Sequence, residues 1–394
     1  LGRSYGDSSL AEDVLDTHYL NNFHNFDAAT GILTCDAGVS LADILAIFVP
    51  CGWFLPVTPG TRFVSVGGAI ASDVHGKNHH HDGTFTMHVT QLELLLGNGE
   101  RVVASCTENS DLFHATCGGM GLTGIILSAS IRLKPISSSN ILETTLKLPC
   151  LRDVLQAFDE HDHATYSVAW IDCLAKGHAL GRSLLMLGEH AKDDCLRVAS
   201  NKPIALPVDM PASLLNHASM KLFNSVYYNK ARDEQSTRIV AYDAFFYPLD
   251  KLGHWNRLYG KAGFVQYQCV LPKAGGEAGL REVLELVAAS GKASFLAVLK
   301  VFGASNQNYL SFPMRGYTLA LDFKVEPAVF VLLEQLDQLV LRLGGRNYLC
   351  KDARMTEHTF KASYARWQDF EDVRRKYHAI GAFSSHQSKR LGLQ

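Results

Sequence analysis

Residues 56–81 read PVTPGTRFVSVGGAIASDVHGKNHHH, and the rest of the chain is best read outward from them. Pro59-Gly60-Thr61 and the pair Gly67-Gly68, followed by Ala69 and Ser72, strip Cβ atoms from the backbone where a bulky ligand can press on it. His75, Gly76, Lys77, Asn78, His79, His80 and His81 come next. His75 and His79 have the i, i+4 spacing of a helical metal-ligand pair. Gly76 and Asn78 interrupt such a helix, however, and no carboxylate lies inside the run, so no metal site is expected. Two other segments repeat the bare backbone. Gly2-Arg3-Ser4-Tyr5-Gly6-Asp7 is a glycine-bracketed turn able to aim successive N–H groups at an anion. Gly118-Gly119-Met120-Gly121-Leu122-Thr123-Gly124-Ile125-Ile126 sets glycines before an apolar strand. Any one of these reads as an ordinary polar turn, but three in one region point to a shared ligand. None opens a helix directly after a strand, which argues against a Rossmann nucleotide site.

The surrounding chain is 394 residues long, enough for two domains of ~100–200 residues each. Hydrophobic residues make up 47% and charged ones 19%, below the ~25% charged of an average soluble chain, so a large core is expected and disorder is excluded. Thirty-seven Lys and Arg against 39 Asp and Glu give a net charge of −2, leaving no basic field to hold a nucleic acid. The nine cysteines are scattered with no C-x-x-C pair. That speaks against zinc, a redox dithiol or a disulfide framework, and for a reducing compartment. Leu41 to Val57 is the most apolar stretch, yet Asp43, Pro50 and Gly52 break it and it falls short of the ~20 residues of a membrane span. A cytoplasmic protein, or one peripheral at a membrane, is expected. Because the chain opens at Leu1 inside the first glycine turn, an N-terminal segment is expected to precede it, and a secreted form stays open.

The fold class is read as α+β with two domains. Residues 1–138 form the first, built from short apolar runs at Ile32 to Cys35, Val66 to Ala71, Gln91 to Leu96, Arg101 to Ala104 and Ile125 to Leu133. Leu41 to Val49 is expected to be an amphipathic helix capped by Ser40. Three serines at 137–139 mark a boundary. Residues 139–345 form the second domain, with strands expected at Ile141 to Leu148, Tyr166 to Asp172, Tyr242 to Tyr247, Gly263 to Leu271, Phe295 to Phe302 and Tyr317 to Phe323. Helices at Leu151 to Glu160, Gly279 to Ser290 and Pro327 to Leu343 would cover an antiparallel sheet. Pro203 to Pro211 reads as a flap, and residues 346–394 as a C-terminal return to the first domain.

The three glycine segments resemble the FAD-contacting segments of the vanillyl-alcohol-oxidase (PCMH-type) flavoprotein family. The resemblance runs on through Trp170-Ile171-Asp172, Tyr247-Pro248-Leu249-Asp250, Trp255-Asn256-Arg257, Gln266-Tyr267-Gln268, Lys300-Val301-Phe302-Gly303, Asp322-Phe323 and Tyr348-Leu349-Cys350-Lys351-Asp352. It is strongest toward members that oxidise a lipid-linked sugar, and it departs from them at Thr318 and Ala320, where they carry Asn and Cys. It implies a two-domain PCMH-type fold with FAD held without a covalent bond, Arg3 standing where covalent members place a histidine. The cofactor contacts it implies are Gly2, Arg3, Ser4, Tyr5, Gly6, Pro59, Gly60, Thr61, Gly67, Gly68, Ala69, Ser72, His75, Gly76, Asn78, His79, Gly119, Gly121, Thr123, Gly124, Ile125, Tyr348 and Lys351.

Lys351, His75 and Gln268 are the catalytic residues so implied, with Lys351 as the cation that steadies negative charge gathering at the N1 and C2 edge of a flavin. Lys77, Trp170, Tyr247, Arg257, Gln266, Gln268, Lys300, Thr318 and Ala320 are the implied substrate contacts. Strand alternation puts Gln266 and Gln268 on one face, where two amides need polar partners such as sugar hydroxyls. Arg257 or Lys300 would meet a phosphate, and Leu206 to Leu215 a lipid. Trp170, Tyr247 and Tyr5 read equally well as core aromatics. The implied reaction oxidises a secondary sugar hydroxyl to a ketone, at C2′ of a polyprenyl-phosphoryl ribose. A short-chain reductase partner would complete an epimerisation serving cell-wall arabinan. An aldonolactone or alditol oxidase, and a non-catalytic flavin-binding protein, are the alternatives.

Overall fold

A computed structural model describes residues 2–198, 204–205, 208–210, 216–292, 294 and 296–393, and its frame is two antiparallel sheets. In the first, strands lie in the order Phe23–Asp27, Ile32–Asp36, Ile125–Arg132, Val89–Leu95, Arg101–Ala104. Alternate residues Leu33, Cys35, Leu92, Leu94, Ala129 and Ile131 enter one core with the buried face of helix Leu41–Phe48, as a two-residue period and a helical stripe require. Ser40 caps that helix through a reciprocal pair: its hydroxyl accepts from the Asp43 N–H at 3.1 Å, and the Asp43 carboxylate accepts from the Ser40 N–H at 3.2 Å.

Val66–Ala71 is a short helix with Ser65 at its N-cap. Its first glycine answers to the protein's own packing, since a Cβ on Gly67 would lie 3.1 Å from the Ala37 Cβ. The bare backbone expected there is therefore used partly for helix–strand contact.

The second sheet has the order Gln235–Ala241, Asn140–Leu148, Ser183–His190, Tyr166–Ile171, Ala297–Phe302, Gly316–Lys324, Phe264–Pro272, Arg346–Asn347. Helices Leu151–Glu160, Gly276–Ser290 and Pro327–Arg342 cover one face, and their leucines and valines share a core with Tyr267, Cys269, Leu271, Leu299, Leu319, Leu321 and Phe323. The opposite face is the polar one.

One expected strand is a helix. Tyr242–Phe246 forms a single helical turn in which Tyr242, Asp243, Phe245 and Phe246 are all buried. Aromatic β-propensity argued for a strand, but a short run buried on every side has no period that separates strand from helix. Strands Ser183–His190 and Gln235–Ala241 and helix His217–Asn229 were not anticipated. The expected flap at Pro203 to Pro211 and Leu206 to Leu215 falls largely outside the described residues.

The C-terminal helices Glu357–Ser363 and Trp367–Lys376 pack with Ala115, Leu122, Leu310 and Leu349 in a core of their own. The fully buried Arg374 guanidinium fastens them, donating to the carbonyls of Leu122 and Phe383 at 3.0 Å each and pairing with Glu371. Arg390 donates to Asp7 at 2.7 Å and to Asp352 at 2.8 Å, which brings the N-terminal turn against the Lys351 segment. Among the described residues no helix is long and apolar enough to cross a membrane.

Candidate active site

Strand Phe264–Pro272 puts Tyr267, Cys269 and Leu271 into the helix-covered core and turns Gln266 and Gln268 the other way. Its neighbour sets Asp322 opposite Gln266, Ala320 opposite Gln268 and Thr318 opposite Val270. On the next strand Lys300 lies beside Thr318 and Val298 beside Ala320, and Trp170 follows in the same row as Val298. A band of polar groups thus crosses a sheet that is otherwise apolar.

Segment 72–82 meets this band. The Thr318 hydroxyl donates to the Cys269 carbonyl at 2.9 Å, so it can only accept from the Gln268 amide nitrogen, 3.2 Å away. That same amide nitrogen then donates to His75 Nε2 at 2.9 Å. His75 must therefore carry its proton on Nδ1, and this buried Nδ1 has no partner among the described residues. Burial holds the imidazole well below its ordinary pKa, helped by Lys300, His79 and Lys351, so it is neutral. Phe302, Phe312 and Tyr348 enclose its ring at centroid distances of 4.8, 5.5 and 5.0 Å. His79, pushed down to about 3 by burial, accepts from the Gly303 N–H at 3.1 Å.

The segment owes its placement to Asp73. This buried residue has φ 40°, and its carboxylate accepts from Thr86 at 2.5 Å, Asn306 at 2.6 Å, Ser311 at 2.6 Å and Asn308 at 3.1 Å.

Lys351 ends the 3₁₀ turn Leu349–Lys351, which follows Tyr348. The Tyr348 N–H donates to the Gln268 carbonyl at 2.9 Å, and its hydroxyl donates to the Ser72 carbonyl at 2.8 Å. The Lys351 ammonium stands 3.7 Å from the centre of the Tyr5 ring. Burial lowers its pKa, and Cys350 and Asp322 oppose that shift. Asp322 is fully buried, accepts from the Gln266 amide, and has a second oxygen with no partner among the described residues. Desolvation pushes its carboxyl up to about 7, against the pull of Gln266 and Lys351.

Tyr5, Ser72, His75, His79, Gln266, Gln268, Lys300, Thr318, Ala320, Tyr348 and Lys351 converge here, and several other expected residues have structural employment. Tyr247 is fully buried with its hydroxyl 2.6 Å from Thr58 Oγ1. The Asn78 amide is spent on the Pro56 carbonyl and Asp82, and Thr123 on Thr116. Trp170 packs against Tyr227 of helix His217–Asn229 at 4.7 Å. His80 and His81 reach outward to the carbonyls of Ala164 and Asp162 at 2.8 and 2.6 Å. Arg257 lies on the turn Trp255–Tyr259, whose rings pack on Phe264. Gly6 is fixed by close approach, since a Cβ there would stand 1.7 Å from the Asp352 carbonyl oxygen. Asp322 was missed as a site residue. Its signal was the alternation Thr318, Ala320, Asp322 opposite the two glutamines.

An FAD fits what the chain offers. Among the described residues a buried imidazole N–H and a buried carboxylate oxygen lack partners, a cation lies against the Tyr5 ring, and Cβ atoms added to Gly60 or Gly121 would meet nothing within 4 Å. Such leftover donors and acceptors call for a ligand.

Comparison with known proteins agrees. Residues 2–105 match the FAD binding domain family. Decaprenylphosphoryl-beta-D-ribose oxidase of Mycolicibacterium smegmatis is 38% identical, the match covering 100% of this chain and 88% of that protein. An uncharacterized protein from the mprA 5' region of Streptomyces coelicolor is 32% identical over 90% of this chain and 100% of its own length. The Delta(24)-sterol reductase of Rattus norvegicus is 34% identical over only 28% of this chain and 21% of that protein.

Proposed function

The chain belongs to the family of FAD-dependent oxidoreductases that contains decaprenylphosphoryl-beta-D-ribose oxidase, and from that premise we propose that it oxidises a secondary hydroxyl of a lipid-linked pentose to a ketone, at C2′ of a polyprenyl-phosphoryl ribose. The observation that carries this reading is the polar band Gln266, Gln268, Thr318 and Lys300, laid against a neutral His75 on an otherwise apolar sheet. Hydroxyl-reading amides beside a desolvated cation suit a sugar alcohol.

When bound, FAD supplies the hydride acceptor. Lys351 would offer positive charge at the edge of the cofactor where negative charge gathers, from a partly desolvated position. Gln268 positions the reacting carbon by holding a sugar hydroxyl, and His75, locked as its Nδ1–H form, donates one hydrogen bond without exchanging a proton. The proton of the reacting hydroxyl passes to the second Asp322 oxygen, which has no partner among the described residues, as the hydride leaves its carbon, and Gln266 holds that carboxylate in place. Residues 1–138 with 346–394 make the cofactor lobe in this reading, and 139–345 the substrate lobe. A short-chain reductase consuming the ketone, and loose attachment to a membrane through the lipid, complete it.

Anaerobic bleaching of the bound flavin by a panel of prenyl-phosphoryl pentoses, free aldonolactones and alditols tests the proposal. Prenyl-phosphoryl ribose should reduce the flavin with the highest kcat/KM, because remote binding energy positions the C–H bond. If a soluble lactone or alditol is the better reductant, the substrate assignment fails.

A further inference from the structure

The lysines of the cleft are not equally provided for. Lys351 has Asp322 to offset its burial. Lys77 donates to the Phe245 carbonyl, rests 4.2 Å from the Phe245 ring, and feels the buried Glu143. Lys300 has none of this. Its nearest aromatic contact is the Phe302 ring at 5.9 Å, and among the described residues no hydrogen bond or ion pair engages its ammonium. The charged and titratable groups that face it are Lys77, Lys351, His75 and His79, all of them cationic or neutral. Chain and sheet hold these groups together: Lys300 pairs in register with Thr318, and the Lys77 carbonyl accepts from Ser167 on the strand that borders the Lys300 strand.

A half-buried ammonium with three donors, cationic neighbours and no carboxylate is an incomplete electrostatic unit. An anion must complete it. The opposite end of the band, with the Asp322 carboxylate, repels anions and suits hydroxyl donors. We propose that Lys300, with Lys77 beside it, receives the phosphodiester anion of the substrate, so that the sugar extends toward Gln266 and Asp322. The assignment rests on the lipid-linked sugar reading and adds to it the polarity with which the substrate lies. Burial and the neighbouring lysines push the Lys300 pKa down to about 7 in the free protein, and a bound anion raises it again. Proton uptake on binding is therefore expected above pH ~7, where free Lys300 is largely neutral, and fades below it, where the proton is already present.

The test uses FAD-loaded protein and two probes of equal chain length, a short-chain prenyl-phosphoryl ribose and the neutral prenyl riboside. Titration calorimetry at pH 8 in two buffers of different ionisation enthalpy reads proton uptake, and flavin reduction reads kcat/KM. Wild-type protein should take up a proton with the phosphodiester only. Lys300→Met should lower the ratio of phosphodiester to neutral kcat/KM by about 30-fold, the low end for losing one partner of a desolvated charge pair. Lys300→Arg should keep that ratio within a few-fold while its share of the uptake disappears, because a guanidinium is already charged. FAD content confirms folding of each variant. An unchanged ratio in folded Lys300→Met, or undiminished uptake in Lys300→Arg, overturns the inference alone. Failure of wild-type flavin to be reduced by prenyl-phosphoryl ribose removes the substrate reading and this inference with it.

Discussion

At the scale of single residues the site is a matter of which hydrogen has nowhere else to go. Thr318 gives its only hydrogen to Cys269, which fixes the Gln268 amide and through it the His75 tautomer. Lys351 is the residue on which the chemistry should depend most. Replacing it with Ala removes the cation set against the Tyr5 ring, so stopped-flow flavin reduction should slow by at least ~100-fold while substrate binding suffers less; near-normal reduction would sink the assignment. Asp322 makes a prediction about stability. Its carboxyl titrates at about 7 in the folded protein and near ~3.9 in an unfolded chain. Between those values the unfolded chain binds fewer protons, so stability falls as pH rises and the loss is complete above the folded pKa. Asp322→Asn should accordingly gain in Tm over wild type as pH moves from ~4 to ~7, and a pH-independent difference would contradict the shifted pKa. Lys351, Gln266 and Gln268 were legible as a motif string. Asp322 was not, because one Asp in a strand looks like surface until its opposite neighbours are known.

Elements were legible where their period was clean. Helix Leu41–Phe48 announced itself through Ser40 and its apolar stripe, and Leu151–Glu160 through its apolar stripe alone. Tyr242–Phe246 misled because five residues buried all round have no face. Strand Gln235–Ala241 escaped notice for the opposite reason: it is an edge strand, exposed over most of its length, and lacks the alternation that a buried face imposes. Residues 346–394 were read only as a return segment, with no helix expected there, and the helices that the segment forms are docked by a buried Arg374. Arg374→Ala takes the buried guanidinium away from Glu371 and removes the donors to the carbonyls of Leu122 and Phe383. Denaturant unfolding should show a loss of about 3–5 kcal/mol, and a change below ~1 kcal/mol would mean the C-terminal helices are held by apolar packing instead.

Taken whole, the molecule sets one antiparallel sheet's polar face against loops carried by the other, and the catalytic proposal is a statement about that junction. The N-terminal turn holds Arg3 and no histidine, so acid denaturation should release all of the FAD into the supernatant, and yellow colour kept by the pellet would show a covalent bond. The junction's purpose is tested most directly by single-turnover, anaerobic flavin reduction with prenyl-phosphoryl ribose, unlabelled and deuterated at C2′. The expected result is full bleaching that the deuterium slows by a primary isotope effect. Bleaching at the same rate with both, or none with either, would contradict oxidation at that carbon.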